Sequence, residues 1–287
     1  MILEKLHLAE QPEIVSSEIP GKNAQRLLLE QDLLESNNRS YPRSIPLVPK
    51  RAMGTIIEDV DGNRFMDFFS MCGVLNVGHG NKDVLNSVSK QMKEFIHGMD
   101  FPTEIKDDFM KNLNNSLPKG LKNATKINFC GPTGADAVEA SIKLARINSG
   151  RNLIISFQGA YHGMTTGALS VTSNLKNRKN LPALNNGTHF APYCYCYRCP
   201  FGKEPKNCKV ECASQLRALI DNPNSGVDKP AAIIIEPVQG EGGVVIPKTR
   251  FHQELRKLCD DHEIVLIHDE VQVGFYRTGK FLCSEHF

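Results

Sequence analysis

The sequence predicts an α/β protein with a mostly parallel central sheet and flanking helices, and three observations predict it. The runs NLIISF (152–157), AAIIIEP (231–237) and EIVLIHDE (263–270) are almost continuously apolar rather than alternating, as strands buried on both faces must be. Helical periods lie between them. Residues 135–147 place Val138, Ile142 and Ala145 on one side, and 251–261 bring Phe251, Leu255, Leu258 and Cys259 onto one stripe. Each run is also followed directly by glycines or carboxylates, at the strand ends where parallel sheets bind ligands.

The remaining elements follow in chain order. Residues 23–35 have the period of a helix, and NNRSYPRSIPLVP after them has the proline density of an extended segment. Residues 54–69 read as a hairpin: a β-branched run, a turn at Asp61-Gly62 and a second apolar run. A helix is expected over 81–97, and a short strand over KINFC (126–130). The expected division is an N-terminal segment, 1–90, followed by a larger α/β domain, 91–287.

Composition narrows the function classes. With 34 basic and 32 acidic side chains among 287 residues, the net charge is only +2, which gives no reason to propose a nucleic-acid partner. The opening residues carry Glu4, Glu10 and Glu13 and no long apolar run, so neither a signal peptide nor a membrane span is expected and the protein reads as cytoplasmic. Five of nine cysteines crowd into 194–212. Their CxC and CxxC spacings suit either free thiols or a zinc or iron–sulfur centre. They match no fixed metal-site spacing, so no metal is assigned.

Four strand ends carry candidate chemistry. After KINFC, Thr133, Gly134, Ala135 and Asp136 open a helix with the spacing of a capping box, offering first-turn amides to a phosphate. The same residues would serve a helix that is merely capped. After NLIISF comes Gly159-Ala-Tyr161-His162-Gly163, an aromatic with glycines on either side that suits a planar ligand or ordinary packing. Glu236 ends a wholly apolar strand, where a carboxylate is costly unless paired, and Glu241 sits in a glycine-flanked loop. After EIVLIH come Asp269 and Gln272, with Arg277 a candidate anion binder. An ionised carboxylate at a buried strand end is suited to a protonated pyridinium.

Taken together, GTIIEDVDGNRFMDF, NVGHG (76–80), GPTGADAVEASIKLAR, SFQGAYHGMT, IIIEPVQGEGG and LIHDEVQVGFYRTG resemble the class III, or ω-, aminotransferases, in that family's order and over nearly the whole chain. The resemblance implies a fold-type I architecture and pyridoxal 5'-phosphate (PLP) as cofactor. It implies that Gly134 and Ala135, with Thr133 beside them, hold the cofactor phosphate. Tyr161 would stack on the ring with His162 as its neighbour. Asp269 would pair with the ring nitrogen, Gln272 would reach the ring hydroxyl, and Glu236 would lie behind them. Glu241 would act in catalysis as a switch toward a C-terminal arginine. The wording of GPTGADAVEA, the SFQG-YHGMT loop, YRCPFG (197–202) and SYPRSIPL (40–47) is most similar to the diaminobutyrate–2-oxoglutarate branch. That branch implies an amino-acid donor and 2-oxoglutarate as substrates and a homodimer. Other ω-aminotransferases, amino-acid racemases and a noncatalytic descendant of the family remain alternatives.

Two features depart from the family pattern. Tyr276 stands where a glycine is usual, so the bend there is expected to differ. The Schiff-base lysine, which the family carries several tens of residues after the aspartate strand, has no counterpart: Lys280, Lys143 and Lys126 lie in the wrong segments. The chain therefore reads as stopping in mid-domain, without the C-terminal small domain and inactive by itself.

Overall fold

The computed structural model describes residues 11–36, 45–179, 181, 184 and 187–287; residues 37–44 of the extended segment lie outside these. The chain falls into two compact units, Met1–Lys106 and Asp107–Phe287. The division expected at 90 lies within the helix Lys82–Glu94, and the division at 106 lies within the helix Glu104–Ser116.

The first unit contains α1 (Lys22–Leu34), a sheet of β1 (Pro49–Met53), β2 (Ile56–Asp59) and β3 (Arg64–Met66), then α2 (Ser70–Gly73) and α3 (Lys82–Glu94). The sheet is antiparallel in the order β1-β2-β3. The expected hairpin is its β2–β3 half, and β1 is a further strand in the proline-rich region. Asp59 holds the turn, with Oδ1 accepting from the Asn63 amide at 2.8 Å and Oδ2 from the Asn63 side chain at 2.8 Å. α4 (Glu104–Ser116) carries the chain across the division.

The second unit contains α5 (Gly134–Ser149), β4 (Ile154–Phe157), α6 (Thr166–Val171), α7 (Leu175–Arg178), β5 (Thr188–Ala191), α8 (Glu211–Asp221), β6 (Ala232–Ile235), α9 (Thr249–Asp261) and β7 (Val265–His268). Its sheet has the order β5-β4-β6-β7 and is parallel throughout. Side chains of a strand alternate between faces, and here both faces are covered. Ile154, Ala232 and Ile234 pack with Val138 and Ile142 of α5 and with Ala168 and Val171 of α6. Ile155, Phe157, Ile233 and Ile235 pack with Leu216 of α8 and with Phe251, Leu255 and Leu258 of α9. Two-sided burial is why these strands read as unbroken apolar runs.

KINFC is not a strand. A strand exists only as part of a hydrogen-bonded ladder, and 126–130 pairs with neither edge of the sheet among the described residues. No described helix is long and apolar enough to cross a membrane.

Two histidines are built into this packing. His252 on α9 and His268 on β7 meet edge to face at 5.4 Å, and His252 Nε2 lies 3.0 Å from the Pro237 carbonyl. Burial lowers both from 6.5 to about 4, with the second ring adding to the effect on His252 and the Arg256 charge to that on His268. A depressed folded-state pKa means that the unfolded chain binds more protons, so this contribution to stability is complete above about pH 6.5 and is lost as the pH falls toward 4. We predict a urea midpoint lower at about pH 5 than at about pH 7, with the difference reduced in His252→Gln. Equal midpoints for the wild-type chain at the two pH values would remove the assignment.

Candidate active site at the strand ends

The loops leaving β4, β6 and β7 emerge side by side, because these strands are neighbours in the sheet. Glu236, the first residue after β6, is 5% exposed. Its Oε1 accepts from the Tyr161 amide and its Oε2 from the Gly240 amide, each at 3.0 Å. The carboxylate thus ties the loop after β4 to the loop after β6. Burial raises its pKa, and the two amides, followed by the nearby His162, pull it back. The Tyr193 hydroxyl donates to the Glu236 carbonyl at 3.0 Å from below.

Asp269 is the first residue after β7. Its amide continues the ladder to the Ile235 carbonyl at 2.8 Å. Its Oδ1 accepts from the Val271 amide at 3.0 Å, and its Oδ2 lies 2.7 Å from His162 Nδ1. The His162 side chain is fully buried, and its Nε2 has no hydrogen-bond partner among the described residues. A neutral ring that donates through Nδ1 leaves Nε2 a bare acceptor, which costs less than an unpaired buried N–H⁺. The His162 amide donates to Thr172 Oγ1 at 2.9 Å, which fixes the ring from its backbone side.

The start of α5 completes the group. Thr133 caps the helix in a full capping box with Asp136, so the cap serves the Asp136 amide and leaves those of Gly134 and Ala135 with no acceptor inside the helix. Only small residues fit here. A Cβ at Gly134 would lie 2.7 Å from Val271, and one at Gly163 would lie 2.7 Å from the Ala135 Cβ. The aspartate loop, the histidine loop and the helix N-terminus are therefore in direct contact. Gln272 lies against Gly240, filling space that a side chain there would take.

The structure thus brings together Thr133, Gly134, Ala135, Tyr161, His162, Glu236, Asp269 and Gln272. Glu241 is exposed, one residue beyond the Gly240 amide that Glu236 holds. Three supporting residues escaped the sequence reading. Thr172 holds His162, Tyr193 supports Glu236, and Gln239, 3% exposed, donates through Nε2 to the Gln158 carbonyl at 2.9 Å. Only Gln239 left a signal, as a polar residue between a buried strand and a glycine loop.

An anion site at a helix start, a buried aspartate–histidine pair and an aromatic loop at adjacent parallel strand ends suit a phosphorylated, ring-containing cofactor with a basic nitrogen. The family described as aminotransferase class-III matches residues 37–287. The chain belongs to that family. Among curated relatives, the diaminobutyrate–2-oxoglutarate aminotransferase of Rhizobium meliloti (strain 1021) is 42% identical over 257 residues, 89% of this chain and 55% of its own length. The corresponding Haemophilus influenzae protein is 40% identical, with 91% and 58% covered. The chain therefore spans rather more than half the length of these relatives. Among solved structures, an amine transaminase from an uncultivated Pseudomonas species, in a PLP-bound form, superposes with a TM-score of 0.74 at 31% identity over 88% of this chain and 58% of its own. An (S)-enantioselective ω-transaminase from Thermomicrobium roseum gives 0.78 at 26% identity, over 96% and 61%.

The Glu236 bridge is open to test. Glu236→Leu removes the acceptor of two amides, and hydrogen exchange at Tyr161 and Gly240 is expected to quicken about tenfold or more, while amides of β4 and β6 stay protected. Unchanged exchange at both positions would show that the carboxylate does not hold the loops.

Proposed function

We propose that this chain forms the cofactor cradle of a PLP-dependent aminotransferase. The reaction moves the 4-amino group between L-2,4-diaminobutyrate and 2-oxoglutarate, giving aspartate 4-semialdehyde and glutamate. The observation that carries the reading is the Asp269–His162 pair, 2.7 Å apart and buried beside the open amides of α5. The choice of amino donor is supported by the names of the R. meliloti and H. influenzae relatives.

When bound, PLP supplies an electron sink for the substrate carbon that gains or loses a proton. The chain's own residues do the rest. The Gly134 and Ala135 amides, with Thr133 and the positive end of α5, bind the phosphate. Tyr161 sets the plane of the ring. Asp269, oriented by His162 and the Val271 amide, would hold a proton on the ring nitrogen. Gln272 donates to the ring hydroxyl, and Glu236 keeps the Tyr161 and Glu241 loops in register. Glu241, in its exposed loop, meets the charged end of the substrate. The protein works as a homodimer; α3 exposes Val84, Leu85, Val88 and Met92, an apolar stripe consistent with such a boundary.

The reading assigns the covalent lysine to none of the lysines in this chain. Lys280 belongs to a tight turn, its carbonyl accepting from the Tyr276 amide at 3.0 Å. Purified chain titrated with PLP is expected to bind it reversibly, with no lysine adduct after borohydride, and Asp269→Ala is expected to weaken binding about tenfold or more. Equal affinity of the wild type and Asp269→Ala would defeat the cradle assignment. Stoichiometric labelling of one lysine would defeat the assignment of the anchor.

A further inference from the structure

The cysteine-rich segment takes no part in the site above, yet it is organised. Cys194, Cys196, Cys199, Cys208 and Cys212 all line one small cavity of about 10 Å³ beneath Tyr193. Among the described residues no group of three or more cysteine, histidine or acidic side chains is arranged to hold a metal ion. The thiols are instead matched to separate partners. Cys208 accepts from the Val210 amide at 3.3 Å and hydrogen-bonds Glu211, holding that carboxyl below its usual range. Cys212, buried in the first turn of α8, hydrogen-bonds Cys194.

Cys194 and Cys196 face each other with their sulfurs 3.8 Å apart. The backbone brings them together: the Tyr195 amide closes onto the Tyr193 carbonyl at 2.9 Å, a three-residue turn centred on Cys194, and a 3-10 turn starts at Cys196. These turns place Cys194 at the apex of one and Cys196 at the start of the next, with the two sulfurs in contact.

The two thiols are also unlike. Hydrogen bonding from Cys212, then the Lys248 amide and the Lys248 charge, draw Cys194 down to about 6 against burial, which opposes the shift. Burial and the neighbouring Cys194 push Cys196 up to about 11. The pair is thus asymmetric, Cys194 drawn down and Cys196 pushed up, the asymmetry of an attacking and a resolving cysteine.

We propose that Cys194 and Cys196 form a peroxide-sensitive dithiol, a modification site separate from the cofactor cradle. The Cys194 thiolate attacks one oxygen of a hydroperoxide. The O–O bond breaks, leaving a sulfenic acid on Cys194 and releasing hydroxide, or alkoxide from an organic peroxide. Cys196 then attacks that sulfur, the S–S bond forms, and the sulfenic oxygen leaves as water with the proton of the Cys196 thiol. With hydrogen peroxide the sum is two thiols and one peroxide giving one disulfide and two waters. Cys194 is only 2% exposed and lines a cavity of about 10 Å³, roughly the space of one water, so the proposed oxidants are the smallest hydroperoxides.

The sequence makes the product easy to read. Cleavage after Lys179 and Arg198 yields a peptide, 180–198, that holds Cys194 and Cys196 and no other cysteine. The folded chain is treated with hydrogen peroxide, denatured, alkylated and digested. Peptide 180–198 is expected to appear unalkylated and lighter by two hydrogens, at a rate about tenfold or more above oxidation of the exposed Cys130. Cys196→Ser is expected to stop at a sulfenic acid on Cys194 that dimedone traps. Cys212→Ala is expected to slow the reaction near neutrality and to recover its rate at alkaline pH. Two alkylated cysteines in 180–198 after Cys130 has been oxidised would overturn the proposal. So would a crosslink from 180–198 to 210–217, which would make Cys212 the resolving thiol.

Discussion

A carboxylate placed at the end of three consecutive buried isoleucines governs the arrangement of this site. Leaving Glu236 unpaired in that position would cost several kcal/mol, and the structure answers with two amides from two different loops. The bridge works in both directions. The amides make the carboxylate tolerable, and the carboxylate fixes where Tyr161 and Gly240 begin their turns. Tyr193 reinforces this from the core side, its ring held edge-on against Phe157 and Phe251 while its hydroxyl reaches the Glu236 carbonyl. Loop geometry at the surface is thereby referred to the aromatic core beneath the sheet.

From that anchor the remaining contacts follow by proximity. Once Tyr161 is set, His162 comes next in the chain and reaches across the end of β6 to Asp269 at the end of β7. The glycines and alanines around them serve packing as much as ligand access. Bulk at Gly134 would collide with Val271, and bulk at Gly163 with Ala135. The reading of these residues as ligand clearance and the reading as ordinary turn and packing residues therefore describe one constraint. The helix start can approach the strand ends closely only because both surfaces are bare, and the same bareness leaves two amides open.

Much of this was legible in the sequence, for a physical reason. Strands buried on both faces leave unbroken apolar runs, as β4 and β6 do, and the half-exposed β7 keeps the same apolar run, so the residues directly after all three could be picked out as site candidates. The helices α5 and α9 were legible through Val138, Ile142 and Ala145 and through Phe251, Leu255 and Leu258, all buried as their spacing requires. What failed depends on partners remote in sequence. KINFC has strand composition but no ladder to join. Thr188–Ala191 carries a threonine and a histidine, hiding an edge strand whose polar side chains are half-buried. Thr172 and Tyr193 support the site from distances along the chain that no local motif records. Glu241 stayed no more than a motif match, its side chain lying in an exposed loop.

The turn after β7 shows how a departure from a family pattern is absorbed. Tyr276, at a position where the family resemblance implies a glycine, is left-handed with φ 67°, directly after Phe275 at 49°. For residues with a Cβ this costs roughly 1–2 kcal/mol each. The turn offsets the cost in two ways. Its backbone closes on itself, Tyr276 N to Lys280 O and Gly279 N to Tyr276 O, each at 3.0 Å. Both aromatic rings also pack on Phe281, at 5.0 Å for Phe275 and 5.7 Å for Tyr276, in the edge-on geometry that adds attraction beyond burial alone. The left-handed bend at Phe275 and Tyr276 is thus held by backbone hydrogen bonds and by packing of both rings on Phe281. Glu270, between Asp269 and Gln272 in the chain, accepts from the amides of Cys283 and Ser284 at 2.5 and 2.9 Å and ties the segment after the turn back to the strand end.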